Sequence, residues 1–133
     1  YRARRALDAS KSGATLIATG GFRVSSDYAK AIALGADAVA IGTAALIAIG
    51  CRQYRICHTG RCPMGITTQE PDLRKQIDVG AAAGRLANYL SVCTEELRTF
   101  ARLTGNANVH NLSISDLCST NSEISDHTEI RHV

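Results

Sequence analysis

Two short apolar segments, each followed by a glycine turn, constrain the fold of this chain most strongly. Residues 15–18 and 37–41 are too short for buried helices, and they are followed by Gly20-Gly21 and Gly42 respectively. A short apolar run bounded by glycine is typical of a strand that is buried on both faces. The repeated order of strand, glycine turn and helix is typical of parallel βαβ structure, so we expect an α/β fold.

Helical periodicity follows each strand and dominates the second half of the chain. The predicted helices cover residues 27–34, 43–49, a short segment from about residue 72, and 81–103. Ser25 or Ser26 is the expected N-cap of the first helix. The last helix carries one apolar face, formed by Leu86, Tyr89, Leu90, Cys93, Leu97 and Phe100.

The number of strands is too small for a complete sheet. Two parallel strands buried on both faces need neighbouring strands and covering helices, which 133 residues of this pattern do not supply. We therefore expect residues 1–50 to form the last two βα units of a (β/α)8 TIM barrel. A cysteine loop at 51–69 and a C-terminal helical extension with a loosely held polar tail at 70–133 complete the predicted organisation. The remaining barrel units are expected in a longer chain.

The two glycine turns lie where barrels of this kind commonly bind a phosphate group. Gly20, Gly21 and Arg23 follow the first strand, and Gly42 and Thr43 follow the second. Glycine lets the backbone approach an anion closely and reach positive φ angles, and arginine adds a charged contact. The alternative is that both glycine sites only turn the chain; their occurrence after two successive strands favours phosphate binding.

Three of the five cysteines lie close together in a polar loop, in the pattern Cys51-x5-Cys57-x4-Cys62 with Pro63 after the third. Thiolates are the usual ligands of iron–sulfur clusters, and a cysteine followed by proline recurs in cluster loops. The trio indicates a three-iron cluster, or a four-iron cluster with another ligand on one iron. Zinc with His58 as fourth ligand is the alternative, although the adjacent Cys57 and His58 make awkward tetrahedral partners.

Composition excludes several function classes. The 15 basic and 12 acidic side chains give a net charge of +3, too small to indicate a nucleic-acid or anionic-membrane partner. The longest uncharged apolar run, residues 38–50, is shorter than the roughly 20 residues that cross a membrane. No signal-peptide pattern opens the chain, so we expect a cytoplasmic protein. Cys93 is expected in the helix core, Cys118 has no assigned role, and no catalytic residue is assigned.

Six sequence blocks together resemble the FMN-binding, iron–sulfur part of glutamate synthase, especially the archaeal-type enzyme. The blocks are Ala-Thr-Gly-Gly-Phe-Arg at 18–23, Ala-Leu-Gly-Ala-Asp-Ala-Val-Ala-Ile-Gly-Thr-Ala at 33–44, the cysteine loop with Cys-His-Thr-Gly-Arg-Cys-Pro-Met-Gly-Ile-Thr-Thr-Gln at 57–69, Asn-Tyr-Leu at 88–90, Leu-Thr-Gly at 103–105 and Asn-Ser-Glu-Ile at 121–124. The cysteine block is the most specific of them. One departure is Thr19, which stands where the family usually has an acidic residue.

The resemblance implies a (β/α)8 barrel that binds FMN beside a [3Fe–4S] cluster. By that resemblance the cluster ligands are Cys51, Cys57 and Cys62. The segments that match the flavin-phosphate site are Gly20, Gly21 and Arg23, together with Gly42 and Thr43.

The implied reaction combines 2-oxoglutarate with ammonia released from glutamine and reduces the resulting 2-iminoglutarate to L-glutamate. Implied partners are a glutaminase domain or subunit, and an NAD(P)H-oxidising subunit or ferredoxin as electron donor. The chain alone is expected to be inactive and poorly folded. Two alternatives stay open: a non-enzymatic iron–sulfur module for electron transfer or structure, and an inosine monophosphate dehydrogenase-like barrel. The second is weaker because its catalytic cysteine precedes the Gly-Gly strand, whereas all five cysteines here follow it.

Overall fold

The computed structural model describes residues 1–133, and the chain divides into two compact units. Residues 1–41 and 93–133 form the first unit, and residues 42–92 form the second. The helices are α1 (Arg2–Ala9), α2 (Ser25–Ala33), α3 (Thr43–Ala48), α4 (Pro71–Arg74), α5 (Val79–Leu103) and α6 (Ser122–His127). The strands are β1 (Ile17–Thr19), β2 (Ala38–Ala40), β3 (Cys118–Ser119) and β4 (Arg131–His132). Three single 3-10 turns cover Cys57–Thr59, Val109–Asn111 and Ile114–Asp116.

A βαβ segment begins the first unit. Strands β1 and β2 pair in parallel, with Ile17 opposite Ala38 and Thr19 opposite Ala40, and α2 connects them. The carboxylate of Asp37 accepts a hydrogen bond of 2.6 Å from the backbone N–H of Leu16 and one of 3.3 Å from the Arg4 guanidinium. Asp37 thereby joins the approach to β1, the approach to β2 and α1.

Helix α2 ends at a glycine whose conformation only glycine adopts easily. Gly35 has φ +100°, and a Cβ at that position would overlap the side chain of Arg4. Its N–H donates to the carbonyl of Ile32, and that of Ala36 donates to Ala31, so the helix closes before β2 begins. This is the C-terminal glycine arrangement expected from the sequence.

The C-terminal part of the first unit contains short helices and strands. After α5 the chain passes through two 3-10 turns to β3, which pairs in parallel with β4 after α6. Leu112 and Ile130 are buried there, and the Asn121 side chain caps α6 by accepting a hydrogen bond from the Ile124 N–H. A strand pair, a helix cap and a buried isoleucine thus lie in the segment where the sequence predicts a loosely held tail, and that looseness stays a prediction.

The second unit contains α3, the cysteine loop, α4 and the first part of α5. The Arg85 guanidinium donates to the carbonyl oxygens of Ala48 and Ile49 at the C-terminal end of α3, at 3.3 and 3.1 Å. Gly65, with φ +74°, lies so close to the backbone of Leu73 and Ile77 that a Cβ would come within 2.7 Å of the Leu73 oxygen. These contacts fix the loop between its flanking helices within the unit.

The α/β class expected from the sequence is confirmed, since parallel strands alternate with helices. Within residues 1–133 both strands are largely exposed, with Ile17 59% accessible, and their burial by further barrel units stays a prediction. Two expectations are wrong in detail. The first strand begins two residues later than predicted. Neither Ser25 nor Ser26 caps α2, because the helix begins at Ser25 and Val24 is its N-cap. The barrel and the boundaries at residues 50 and 69 stay predictions.

Within α5, most of the predicted apolar face is turned away from solvent. Leu86, Tyr89, Cys93, Leu97 and Phe100 are half-buried or buried. Leu90 departs from the prediction and is 45% exposed. None of the helices combines the length and the apolar character that crossing a membrane would require.

Candidate functional site

The turn after β1 presents an open glycine pair. Gly20 and Gly21 have φ angles of +113° and +73°, which side-chain-bearing residues adopt only with strain. A Cβ placed on either residue would meet no atom within 4 Å. Glycine is therefore required at these two positions by the positive φ angles and not by close packing. The peptide groups of the turn are accessible.

The turn is anchored to the first turn of α2 by a carboxylate. Asp27 accepts hydrogen bonds from the backbone N–H groups of Arg23 and Val24, at 3.0 and 3.3 Å. These two hydrogen bonds stabilise the ionised carboxylate and so lower the pKa of Asp27 below its ordinary value, and the bond from Arg23 has the larger effect. The Phe22 ring contacts the Tyr28 ring edge-on, with the centroids 6.4 Å apart.

A cleft of about 500 Å³ lies against this turn in the first unit. Gly20, Gly21 and Phe22 form part of its wall, and Lys30 and Asp27 contribute its charged groups from α2. The rest of the lining is mainly aliphatic. The turn therefore borders an open and mainly apolar space that contains one positively and one negatively charged side chain.

At the carboxyl ends of the strands, Thr19 ties β1 to β2. Its hydroxyl donates a hydrogen bond of 3.1 Å to the carbonyl oxygen of Ala40. Thr19, the residue that departs from the family pattern, is therefore a hydrogen-bond donor between the two strands. An ionised acidic side chain at this position has no proton and could not donate this hydrogen bond.

The second glycine site differs from the first in its backbone. Gly42 is the N-cap of α3 with φ −125°, so it does not adopt the positive φ expected for it. A Cβ at Gly42 would meet no atom within 4 Å, and the space over this residue is open. Thr43 is the first residue of α3. The expectation of a positive φ is wrong for Gly42 because this site starts a helix directly instead of reversing the chain.

The three loop cysteines are free thiols in different environments. Cys51 is half-buried, Cys57 is exposed and Cys62 is buried. No group of three or more His, Cys, Asp or Glu side chains is placed to hold a metal ion. The structure therefore places all three cysteines in one loop of one compact unit without bringing their sulfur atoms together.

Glycine and strained residues shape that loop. Gly50, Gly60 and Gly65 have positive φ angles, as expected of a tightly folded loop. Gln53 and Arg55 also have positive φ, of 56° and 60°, which is unusual for residues with side chains. Strained backbone of this kind clusters at functional sites.

Backbone N–H groups point at two of the sulfur atoms. The Gln53 N–H donates to the Cys51 sulfur at 3.4 Å. The pKa of Cys62 is lowered from 9.0 to about 7, chiefly by hydrogen bonds from the backbone N–H groups of Thr67, Ile66 and Met64. Burial acts in the opposite direction. Thiolate is the form that binds metals, so Cys62 is prepared for ligation near neutral pH.

The segment after Cys62 is closed by a short antiparallel bridge. Arg61 and Thr68 form an isolated β-bridge, and the Arg61 guanidinium pairs with Glu70 at 3.4 Å. Thr68 is buried and its hydroxyl accepts a hydrogen bond from the Glu70 N–H. The ends of the turn that carries Cys62 are thereby held together.

The other cysteines have separate surroundings. Cys93 is buried on α5, as expected of a core residue, and Cys118 is exposed in β3. His58 lies in the exposed 3-10 turn next to Cys57.

Sequence reasoning missed two carboxylates around the first glycine turn, those of Glu96 and Asp27. The hydroxyl of Ser25, which is 4% exposed, donates a hydrogen bond of 2.5 Å to the Glu96 carboxylate on α5. Asp27 was also missed, although an acidic residue three positions after the N-cap is a recognised signal of a helix start. Nothing in the sequence marks the Ser25–Glu96 pair, because 71 residues separate its members.

A family model described as "Conserved region in glutamate synthase" matches residues 4–107. The chain belongs to the glutamate synthase family. The expected resemblance is thereby confirmed. The matched region includes both glycine turns and all three cysteines of the loop, and it stops before residues 108–133.

Curated relatives support the same family. A glutamate synthase large subunit-like protein of Rhizobium meliloti is 48% identical over 124 residues, covering 81% of this chain and 28% of that protein. An archaeal glutamate synthase [NADPH] of Methanocaldococcus jannaschii is 47% identical over 98 residues, covering 74% and 19%. A ferredoxin-dependent, chloroplastic glutamate synthase of Oryza sativa is 44% identical over 85 residues, covering 63% and 5%. The chain spans less than a third of these relatives. No solved structure matches the chain significantly.

Proposed function

We propose that this chain is the FMN- and iron–sulfur-binding C-terminal part of a glutamate synthase-type oxidoreductase. The observation that carries the proposal is the family match over residues 4–107, since it includes every residue to which we assign a cofactor. Residues 1–50 would supply the last two βα units of a (β/α)8 barrel, 51–69 the cluster loop and 70–133 a helical extension. The parallel β1–β2 pair and its connecting helix support the barrel assignment.

We assign the flavin phosphate to two turns, each supported by its own geometry. In the first, Gly20 and Gly21 adopt positive φ in open space, and Arg23 follows them. Positive-φ glycines expose consecutive backbone N–H groups, which is how many proteins bind phosphate. In the second, Gly42 has open space over it and Thr43 begins a helix, and the family resemblance assigns both to the same phosphate.

We assign the [3Fe–4S] cluster to Cys51, Cys57 and Cys62. The donor chemistry fits: three free thiols share one loop, and hydrogen bonds from backbone N–H groups reach two of the sulfurs. Such hydrogen bonds stabilise thiolate and tune cluster potentials. Ligation requires the exposed Cys57 to approach the other two sulfurs, so closure of the loop belongs to the proposal.

In the proposed reaction, 2-oxoglutarate and glutamine-derived ammonia give 2-iminoglutarate, which is reduced to L-glutamate in the cytoplasm. When bound, FMN supplies the hydride and the cluster supplies electrons. The residues of this chain bind and orient these groups. A glutaminase domain or subunit, and an NAD(P)H-oxidising subunit or ferredoxin, are the proposed partners. The first six barrel units would supply most substrate contacts, so we expect this chain alone to be inactive.

Anaerobic reconstitution with iron and sulfide, followed by electron paramagnetic resonance, tests the cluster. The oxidised protein should give a signal near the free-electron position that disappears on reduction. Cys57→Ser should abolish this signal, because a serine hydroxyl is a poor ligand for the cluster. Cys93→Ser is the matched control and should retain the signal, because Cys93 lies in the helix core. Protein that binds zinc but neither iron nor acid-labile sulfide would overturn the assignment.

Titration with FMN of a protein that also contains the first six barrel units, followed by flavin fluorescence, tests the other half of the proposal. Quenching that is weakened by Gly21→Val would support a backbone phosphate site, because valine strongly disfavours the φ of +73° found at that position. A cluster without flavin binding in a well-folded chain would instead favour the non-enzymatic iron–sulfur module.

A further inference from the structure

A hydrogen bond between α5 and the start of α2 lies behind the first glycine turn. The Ser25 hydroxyl donates to the Glu96 carboxylate at 2.5 Å, and both residues belong to the first compact unit. Hydrogen bonds from a hydroxyl to an ionised carboxylate are among the short and strong ones. Ser25 is only 4% exposed, so in the folded chain its hydroxyl is held by Glu96, an exposed residue, and not by water.

The same turn of α2 holds the glycine turn through three further contacts. Asp27 accepts hydrogen bonds from the N–H groups of Arg23 and Val24, and Tyr28 contacts the ring of Phe22. Residues 22–24 are thus each attached to the first turn of α2. A displacement of that turn would be transmitted to the glycines that precede it.

We propose that Glu96 is a positioning residue for the phosphate-binding turn at residues 20–23, acting through Ser25. The inference rests on the proposed function of that turn. It gives the helical extension a role in cofactor binding in addition to packing. Glu96 accepts the Ser25 hydroxyl hydrogen bond and so fixes the helix end to which the turn is attached.

Electrostatics and positioning predict opposite outcomes, which makes the inference testable. Glu96 and Asp27 carry negative charge, and a negative charge near a phosphate weakens its binding. If charge alone mattered, removing the Glu96 carboxylate would strengthen the binding of an anion. If positioning matters, removal weakens binding, because the turn must then be ordered at the moment of binding.

The experiment compares Glu96→Ala, Glu96→Gln and Ser25→Ala with Glu95→Ala in the full chain. Glu95 is the matched control, since it neighbours Glu96 on α5, is exposed and pairs with Arg98 on the same helix. We expect Glu96→Ala and Ser25→Ala each to weaken FMN binding about five- to tenfold, a tenfold loss being about 1.4 kcal/mol. The double variant should lose no more than either single one. Glu96→Gln, which keeps an acceptor, should lose less, and Glu95→Ala should lose nothing.

Amide hydrogen exchange provides a second readout that does not depend on FMN. Exchange at the Arg23 and Val24 amides should accelerate in Glu96→Ala by a factor similar to the loss of affinity. Exchange at Ala101, further along α5, should stay unchanged, which separates local loosening from global unfolding.

Three outcomes would overturn the positioning role: unchanged exchange at Arg23 and Val24, equal acceleration at Ala101, or tighter FMN binding by Glu96→Ala. If the unmodified protein with its other six barrel units binds no FMN, the proposed function fails. The exchange result at residues 23 and 24 then still decides whether Glu96 orders the turn.

Discussion

Gly65→Ala and Gly60→Ala form a matched pair that tests how the cysteine loop is packed. Both glycines have nearly the same positive φ, of +74° and +70°. They differ in the space around them. A Cβ at Gly65 would lie 2.7 Å from the Leu73 carbonyl oxygen and 3.0 Å from the Ile77 nitrogen, whereas a Cβ at Gly60 would meet nothing within 4 Å.

The magnitudes follow from these two terms. Placing alanine in the left-handed region costs about 1–2 kcal/mol at either position. Overpacking against backbone atoms, which cannot rotate away as a side chain can, adds about 1–3 kcal/mol at Gly65 alone. We therefore expect Gly60→Ala to lower the free energy of unfolding by about 1–2 kcal/mol, and Gly65→Ala by about 2–5 kcal/mol.

Urea denaturation of both variants beside the unmodified chain measures the difference. The midpoint should fall further for Gly65→Ala, with the slope unchanged, if only the folded state is affected. Equal midpoints for the two variants would refute the reasoning, because the close approach of the Leu73–Ile77 backbone would then cost nothing. A larger loss at Gly60 would show that space at the loop surface is more restricted than the structure indicates.

Three further predictions concern polar groups. Arg85→Ala should lower stability by about 1–2 kcal/mol in denaturation, because the two carbonyls that end α3 lose their donor; an unchanged midpoint would contradict this. In the cluster-free chain, the thiolate absorbance of Cys62 should titrate near pH 7, because backbone N–H groups stabilise the thiolate. The pKa of Cys62 in the folded chain lies below its ordinary value of 9.0, so the thiolate stabilises the folded state. This contribution is complete above about pH 9 and is lost as pH falls through about 7. The same titration step in a Cys62→Ser chain would refute the assignment. Asn121→Ala should lower the free energy of unfolding by about 0.5–2 kcal/mol, because the Ile124 N–H loses its capping acceptor. Hydrogen exchange at the Ile124 amide should become faster, and unchanged exchange would contradict the prediction.

Local patterns in the sequence were sufficient to predict the main elements. The apolar runs at 15–18 and 37–41 identified both strands to within two residues, because glycine bounds each run. The periodicity of 81–103 identified α5, which begins two residues earlier.

What the sequence could not provide was contact between distant residues. The expected burial of the strands depends on neighbouring strands outside residues 1–133, and within these residues Ile17 is exposed. The Ser25–Glu96 hydrogen bond depends on how α2 and α5 meet, which no local signal encodes. Likewise, the spacing of the cysteines predicted one shared loop but not the separate environments of Cys57 and Cys62.

The two-stranded β1–β2 sheet has a practical consequence for handling the chain in solution. Each strand pairs on one side only, so its other edge offers unpaired backbone donors and acceptors to any strand that approaches. Ile17 adds an exposed apolar side chain to this edge. Each strand has only three residues, so a single pairing between two chains is weak. The fraction of chains that are paired nevertheless increases with protein concentration. Self-association through these edges would therefore limit the concentration at which the chain can be kept in solution.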